Sequence, residues 1–163
     1  MSISADEFKD VMSKVASTVT VVTAPGDDGP VGLTATAFVS VSAEPAIVLV
    51  CIDKSTASLL SMLDADGFTV NLMPEGTEDE AILFAKHGAD KFGGSEWSES
   101  EIVDAGPLLA SAYARLECRT INRTEMGDHW VIYGEVNAAA ITDPESAPLV
   151  WLGRGFAKLV TES

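Results

Sequence analysis

Two periodicities divide the hydrophobic positions of this chain. In "ADEFKDVMSKVA" (5–16), Phe8, Val11, Met12 and Val15 recur every three or four residues, which predicts an amphipathic helix. "STVTVVTAP" (17–25) is rich in β-branched residues and predicts a strand. "GDDGP" is a turn, and "VGLTATAFVSVS" (31–42) predicts a second strand completing a hairpin. After Pro45, the short apolar run "AIVLVCID" predicts a fully buried strand. "KSTASLLSMLDA" (54–65) predicts a short helix capped by Ser55 or Thr56, and "GFTVNLM" another strand. "TEDEAILFAKHG" (77–88) predicts a helix with Thr77 and Glu80 at capping-box spacing and Gly88 as its stop. Residues 89–108 have the character of a loop. "AYARLECRTINRTE" (112–125) and "HWVIYGEVNAAAI" (129–141) predict two long strands joined through "MGD". "APLVWLGRGFAKLV" adds a closing strand with a glycine-containing turn.

Six or seven strands and three short helices result, without repeats, linkers or low-complexity segments. Consecutive strands join mostly through short turns rather than βαβ crossovers. That pattern favours a mostly β domain, an antiparallel barrel or sandwich with helices at its rim, spanning residues 1–163 as one unit.

Composition narrows the partners. The formal charge is −15, from 25 acidic and 10 basic residues spread along the chain. Nucleic acid and anionic membrane surfaces are therefore not expected partners. No apolar run approaches the roughly 20 residues of a membrane helix. The N-terminus lacks the basic and apolar regions of a signal peptide, so a cytoplasmic location is expected. Cys51 and Cys118, far apart in apolar runs, are expected to be reduced and buried, and no clustered ligands predict a metal site.

Several chemistries lack their motifs. "GRGFAK" (153–158) has no third glycine and no βαβ unit behind it. Neither a phosphate-binding GxxxxGK[ST] loop nor a GxSxG nucleophile elbow occurs. From these features alone the reading ends at a soluble, mostly β domain.

Four stretches carry it further. "GLTATAFVSVSAEPAIVLVCIDKSTAS" (32–58) joins Gly-x-Thr, a Phe, Ser-Val-Ser, a Pro, an apolar strand and small hydroxyl residues. "FTVNLM" (68–73), "AILFAKHGADKF" (81–92) and "GDHWVIYGEV" (127–136) follow in order. Together they resemble the flavin reductase-like family, the FMN-binding split barrels that supply reduced flavin to two-component monooxygenases. The resemblance runs from about Phe8 to Leu159. It implies a six-stranded Greek-key barrel, a homodimer, and FMN (or FAD) near the dimer interface, reduced by NADH or NADPH.

The resemblance also assigns residues. Thr34, Ala35, Thr36 and Ala37 would line the polar edge of the flavin ring. Cys51, Ile52 and Asp53 would lie beside the ring or ribityl chain. Lys54, Ser55 and Ser58 at a helix start would hold the phosphate, although small hydroxyls there also serve as plain caps. Lys91 and Phe92 would edge the flavin or simply pack. His129, with Asp128, would face the pyridine nucleotide; the plainer reading of His129 is a strand-end residue bonded to its own turn. His87 reads as structural, in the last turn of its helix. The sequence departs from the family pattern at Ala37, where Ser is frequent, and at Trp151 and Phe156, where Tyr is frequent.

Three functions remain open at this point. The first is an NAD(P)H:flavin oxidoreductase. The second is a non-enzymatic FMN electron-transfer or storage protein. The third is a split-barrel oxidase acting on a pyridoxamine phosphate, which would want a cationic cluster that Arg115, Arg119, Arg123 and Arg154 do not form in sequence. "GDH" favours the first over the second.

Overall fold

The computed structural model describes residues 2–102 and 104–160. Its elements are α1 (Ala5–Met12), β1 (Ser17–Thr18), β2 (Thr20–Ala24), β3 (Val31–Ala35), β4 (Phe38–Ala43), β5 (Ala46–Asp53), α2 (Leu59–Asp64), β6 (Gly67–Leu72) and α3 (Glu78–Ala85). They continue with β7 (Trp97–Ser98), β8 (Leu108–Leu109), β9 (Ala114–Met126), β10 (His129–Ile141), β11 (Val150–Leu152) and β12 (Gly155–Ala157).

Seven strands form one antiparallel sheet in the order β3-β2-β6-β9-β10-β5-β4. Its two edges, β3 and β4, are successive segments of one run interrupted only at Thr36 and Ala37. The sheet thus closes on itself, and with β3–β4 counted as one bent strand it is a six-stranded barrel with Greek-key connections. The predicted single strand 31–42 is broken at this bend, where the chain passes from β2's edge to β5's. Cys51 N donates to Ala37 O at 3.0 Å, so the bend is already tied to β5.

The barrel interior is packed by Val22, Leu33, Val48, Val50, Ile52, Phe68, Val70, Cys118 and Ile132. Burying such side chains contributes about 1.5–3 kcal/mol each relative to exposure. β5 corrects a prediction: it alternates, with Val48, Val50 and Ile52 buried and Ile47, Leu49 and Cys51 only partly so. It faces the core on one side, the habit of antiparallel rather than parallel sheets. β2 is buried along its whole length. Its outer face meets a second core of Val19, Val21, Met73, Ala81, Phe84 and Leu109 beneath α3.

Polar side chains inside this shell hold the segment before β8. The Thr23 and Thr69 hydroxyls donate to Pro107 O (2.6 Å) and Gly106 O (2.7 Å). Asn71 donates to Val21 O and Pro107 O, and its Oδ1 accepts from Leu109 N at 2.9 Å. Backbone groups that the sheet leaves unpaired are thereby satisfied. A Cβ on Gly106 would lie 2.1 Å from Thr23 O, so only glycine fits this approach.

The helices are shorter than the sequence predicts. α1 ends at Met12 rather than 16, because Ser13 is held in place by Gly153 N donating to its carbonyl and the chain then turns to pair Ser17 with Trp151. α2 begins at Leu59, after Ser58, since the Ser55 N–H and hydroxyl are both engaged by Asp53. α3 ends at Ala85, and Thr77 makes no capping box; its hydroxyl donates to Pro74 O instead. Among the described residues, no helix is long and apolar enough to cross a membrane.

Candidate flavin and nicotinamide site

The last residues of β5 bring most of the predicted site together. On one edge β5 meets the Thr36–Ala37 bend. On the other it pairs with β10, and the final register pair is His129 with Asp53. Directly paired residues in an antiparallel ladder have Cα atoms about 4.5–5.5 Å apart. The predicted flavin segment and the predicted nicotinamide residue are therefore adjacent.

Gly127 and Asp128 form the two-residue tip between β9 and β10. Gly127 carries φ +59°, which glycine adopts without steric cost, and no Cβ is called for there. His129 Nδ1 lies 2.7 Å from Asp128 Oδ1. This contact holds the Asp128 carboxyl below its usual range. With the Nδ1–H donated to the carboxylate, Nε2 is left free to face outward. Asp53 is also held low, chiefly by Ser55's hydroxyl and backbone N–H, with smaller contributions from His129 and His87. His87, read from sequence as a structural helix-end residue, lies beyond the end of α3 in the loop facing β5. No local sequence signal marks this, because the approach is made by the fold.

A small cavity of about 110 Å³ opens between β3, the turn after β5 and the end of α3, lined by Leu33, Thr34, Thr56, Ala57, His87 and Lys91 among others. It is too small for a flavin ring and of a size for a phosphate or part of a side chain. An apolar groove of about 520 Å³ lies at the Thr36–Ala37 bend, lined by Thr36, Ala37, Phe38 and Val39 with Phe8, Met12 and Trp151. That volume and that mixture of apolar faces with backbone polar groups suit a planar heterocycle. The size and lining of the groove therefore fit a flavin ring. Volume alone does not mark the site: a hollow of about 570 Å³ between Asp79, Leu83, Glu96 and Ser111 contains none of the predicted residues.

The individual assignments divide by where their atoms are engaged. Thr36 and Ala37 are exposed at the bend, and Cys51 is half-buried on the outer face of β5, where burial raises its thiol pKa. Ala35 and Ile52 point into the barrel, so only their backbone can meet a ligand. Thr34 spends its hydroxyl on Ala81 O, and Ser58 makes a long 3.4 Å contact to Gly32 O. Lys91 donates to Gly32 O and Phe84 O, both at 2.8 Å, and burial lowers its pKa. It ties the end of α3 to β3 and closes one wall of the small cavity. Phe92 packs edge-on between Phe84 and Trp97, 5.2 and 5.7 Å away, which is a core role. Trp151 and Phe156 likewise meet edge to face at 5.2 Å. Thr56, Ala57 and Lys86 line the small cavity, although the sequence reading gave none of them a ligand role and Thr56 only that of a helix cap. The hydroxyl-rich run "KSTAS" was the available signal for the first two.

Fold and site define a flavin-handling split barrel. The flavin reductase like domain matches residues 12–159, and the chain belongs to that family. A flavin reductase (NADH) from Kitasatospora aureofaciens is 32% identical over 161 residues, 98% of this chain and 84% of that protein. HsaB, the reductase subunit of a flavin-dependent monooxygenase from Rhodococcus jostii, is 30% identical over 90% of this chain and 74% of its own length. Among solved structures, the Streptomyces globisporus NADH:FAD oxidoreductase SgcE6, in complex with NAD and FAD fragments, superposes with a TM-score of 0.90 at 33% identity, over 97% of this chain and 94% of that one.

Proposed function

We propose that this chain is the reductase half of a two-component system: an NADH-dependent flavin reductase that hands reduced flavin to a separate monooxygenase. The observation that carries this reading is the pairing of His129 with Asp53, which sets a polar ring beside the strand end predicted to flank flavin. Flavin held there would supply the redox chemistry, taking up a hydride from the dihydronicotinamide. The chain's own contribution is positioning. Backbone groups of Thr34–Ala37 and the outer face of Cys51 flank the ring, and the backbone of Ile52 and Asp53 borders the ribityl chain. Thr56 on the wall of the small cavity, with Ser55 and Ser58 in the same turn, serves the phosphate side. Lys91 and Phe92 support that cavity from behind. Asp128 fixes the His129 ring so that Nε2 meets the pyridine nucleotide.

The apolar groove is closed by a second copy of the chain, and residues 1–163 act as one domain within a homodimer. The support is α1, which buries none of its residues within the protomer. Its Val11 is 66% exposed and Phe8 54%, beside Val39 and Val41 of β4. An amphipathic helix with an uncovered apolar face calls for a partner surface.

Excess FMN incubated anaerobically with the protein and NADH tests this reading. Bleaching of many flavin equivalents per chain is expected of a reductase. Bleaching of one equivalent or none fits the competing reading, a non-enzymatic FMN carrier, and contradicts the proposal.

A further inference from the structure

Lys54 follows Asp53 at the end of β5, where the family resemblance assigns it to the flavin phosphate. Its atoms are spent in another direction. Lys54 N donates to Asp128 O at 2.9 Å, which extends the β5–β10 ladder one step past the His129–Asp53 pair. Lys54 Nζ donates to Gly127 O at 2.7 Å and to Glu125 Oε1 at 2.5 Å. One residue thus grips both carbonyls of the two-residue hairpin tip and the last turn-facing carboxylate of β9. These contacts span more than 70 positions in sequence, so they join the flavin strand to the nicotinamide hairpin.

We propose that Lys54 is a positioning residue for His129, a staple that fixes the Gly127–Asp128 tip, and that it is not a phosphate ligand. The proposal rests on the flavin reductase reading above. Three features carry it. An ammonium already paired with Glu125 has its charge compensated, so a phosphate would have to displace a carboxylate. Glu125 shares the Trp130 register position with Ile52, so a Lys54 held to Glu125 lies on the face opposite Asp53 and Cys51, away from the predicted ring face. Tip orientation matters to the ring, because Asp128 both receives the Lys54 N–H through its carbonyl and holds His129 Nδ1 through its carboxylate. Loss of the staple frees the tip to fray from β5, and His129 moves with it. A two-residue tip with one glycine has little of its own to resist this.

Lys54→Met removes the ammonium and keeps the aliphatic stem; Lys54→Arg restores a cation able to reach the same carbonyls. The first measurement needs no flavin: amide hydrogen exchange in the folded protein. Loss of one or two partly exposed hydrogen bonds should speed exchange in the 126–130 segment by about 10-fold in Lys54→Met, with Val22 and Val70 in the barrel unchanged. The second compares KM for NADH with the affinity for FMN and for riboflavin. Lys54→Met should raise KM for NADH by about 10-fold while the FMN-over-riboflavin preference stays as in the wild type, and Lys54→Arg should recover most of the loss. Collapse of the FMN preference with unchanged KM for NADH would make Lys54 a phosphate ligand and overturn the proposal. Unchanged exchange at the hairpin tip would overturn it too. If the wild-type chain itself fails to oxidise NADH with FMN, the functional reading falls, while the exchange result still decides whether Lys54 staples the tip.

Discussion

Asp128 and His129 are consecutive in the chain, and Oδ1 of the first lies 2.7 Å from Nδ1 of the second. The carboxylate therefore sets which ring nitrogen is free, and the β10 register sets where that nitrogen sits, opposite Asp53. Neither residue is buried, so the contact adds little to stability. Its consequence is orientation at the mouth of the site.

Replacing His129 by Ala should therefore spare the fold and FMN affinity. It should lower kcat/KM for NADH by about 10–100-fold, equivalent to roughly 1.4–3 kcal/mol of transition-state binding. A rise in KM alone would mean uniform binding, whereas a fall in kcat as well would mean that the ring also orients the hydride donor. Melting temperature and NADH kinetics on the same variant decide the matter. A lower melting temperature with unchanged kinetics would reduce His129 to a turn residue.

The two cysteines should separate by reactivity. Burial, aided by Glu117, pushes the Cys118 thiol up to about 12, and burial raises Cys51 by less. Thiolate is the reactive form, so at pH 8 Cys118 should resist a thiol reagent and Cys51 should react more slowly than free cysteine. Saturating FMN should slow Cys51 further if the ring covers the outer face of β5. Rapid labelling of Cys51 regardless of FMN would remove it from the site.

Ala37 is exposed at the bend, with its carbonyl already accepting from Cys51 N. Ala37→Ser adds a hydroxyl where relatives are expected to carry one. A single neutral hydrogen bond is worth about 0.5–1.5 kcal/mol net, so FMN should bind several-fold tighter at most. Unchanged or weaker binding in a fluorescence titration would place residue 37 away from the ring.

Light scattering tests the uncovered face of α1. The wild-type chain should weigh twice its 17.1 kDa. Val11→Glu sets a charge on that face, touches no core residue, and should yield folded monomers that bind flavin poorly. A variant that remains dimeric, or a wild type that is monomeric, contradicts the closed groove.

How much of this was legible in the sequence follows from the range of each interaction. The helix, strand and hairpin periods are local, and β2, β6, β9 and β10 fall where the pattern puts them. "GDH" was readable because a glycine at a hairpin tip signals positive φ, which Gly127 has. The break at Thr36–Ala37 was not, since neither Gly nor Pro marks it and the cause is closure of the barrel. β5 read as fully buried because Ile47, Leu49 and Cys51 are apolar, yet these three are only partly buried, on the face of the strand away from the barrel core. Thr23, Thr69 and Asn71 have the look of surface positions, but they are wholly buried because a distant loop needs their hydrogen bonds. The grip of Lys54 on the hairpin tip and the place of His87 on the wall of the small cavity depend on distant segments meeting, which no local pattern records.

Hydride transfer from NADH to flavin is the activity on which every site role above depends. Anaerobic stopped-flow mixing of the protein and FMN with NADH, followed at the flavin visible band, tests it most directly. Rapid bleaching is expected, at a rate that rises with protein concentration and falls by about 10–100-fold in His129→Ala. FMN that binds yet keeps its visible absorbance in the presence of NADH would contradict it.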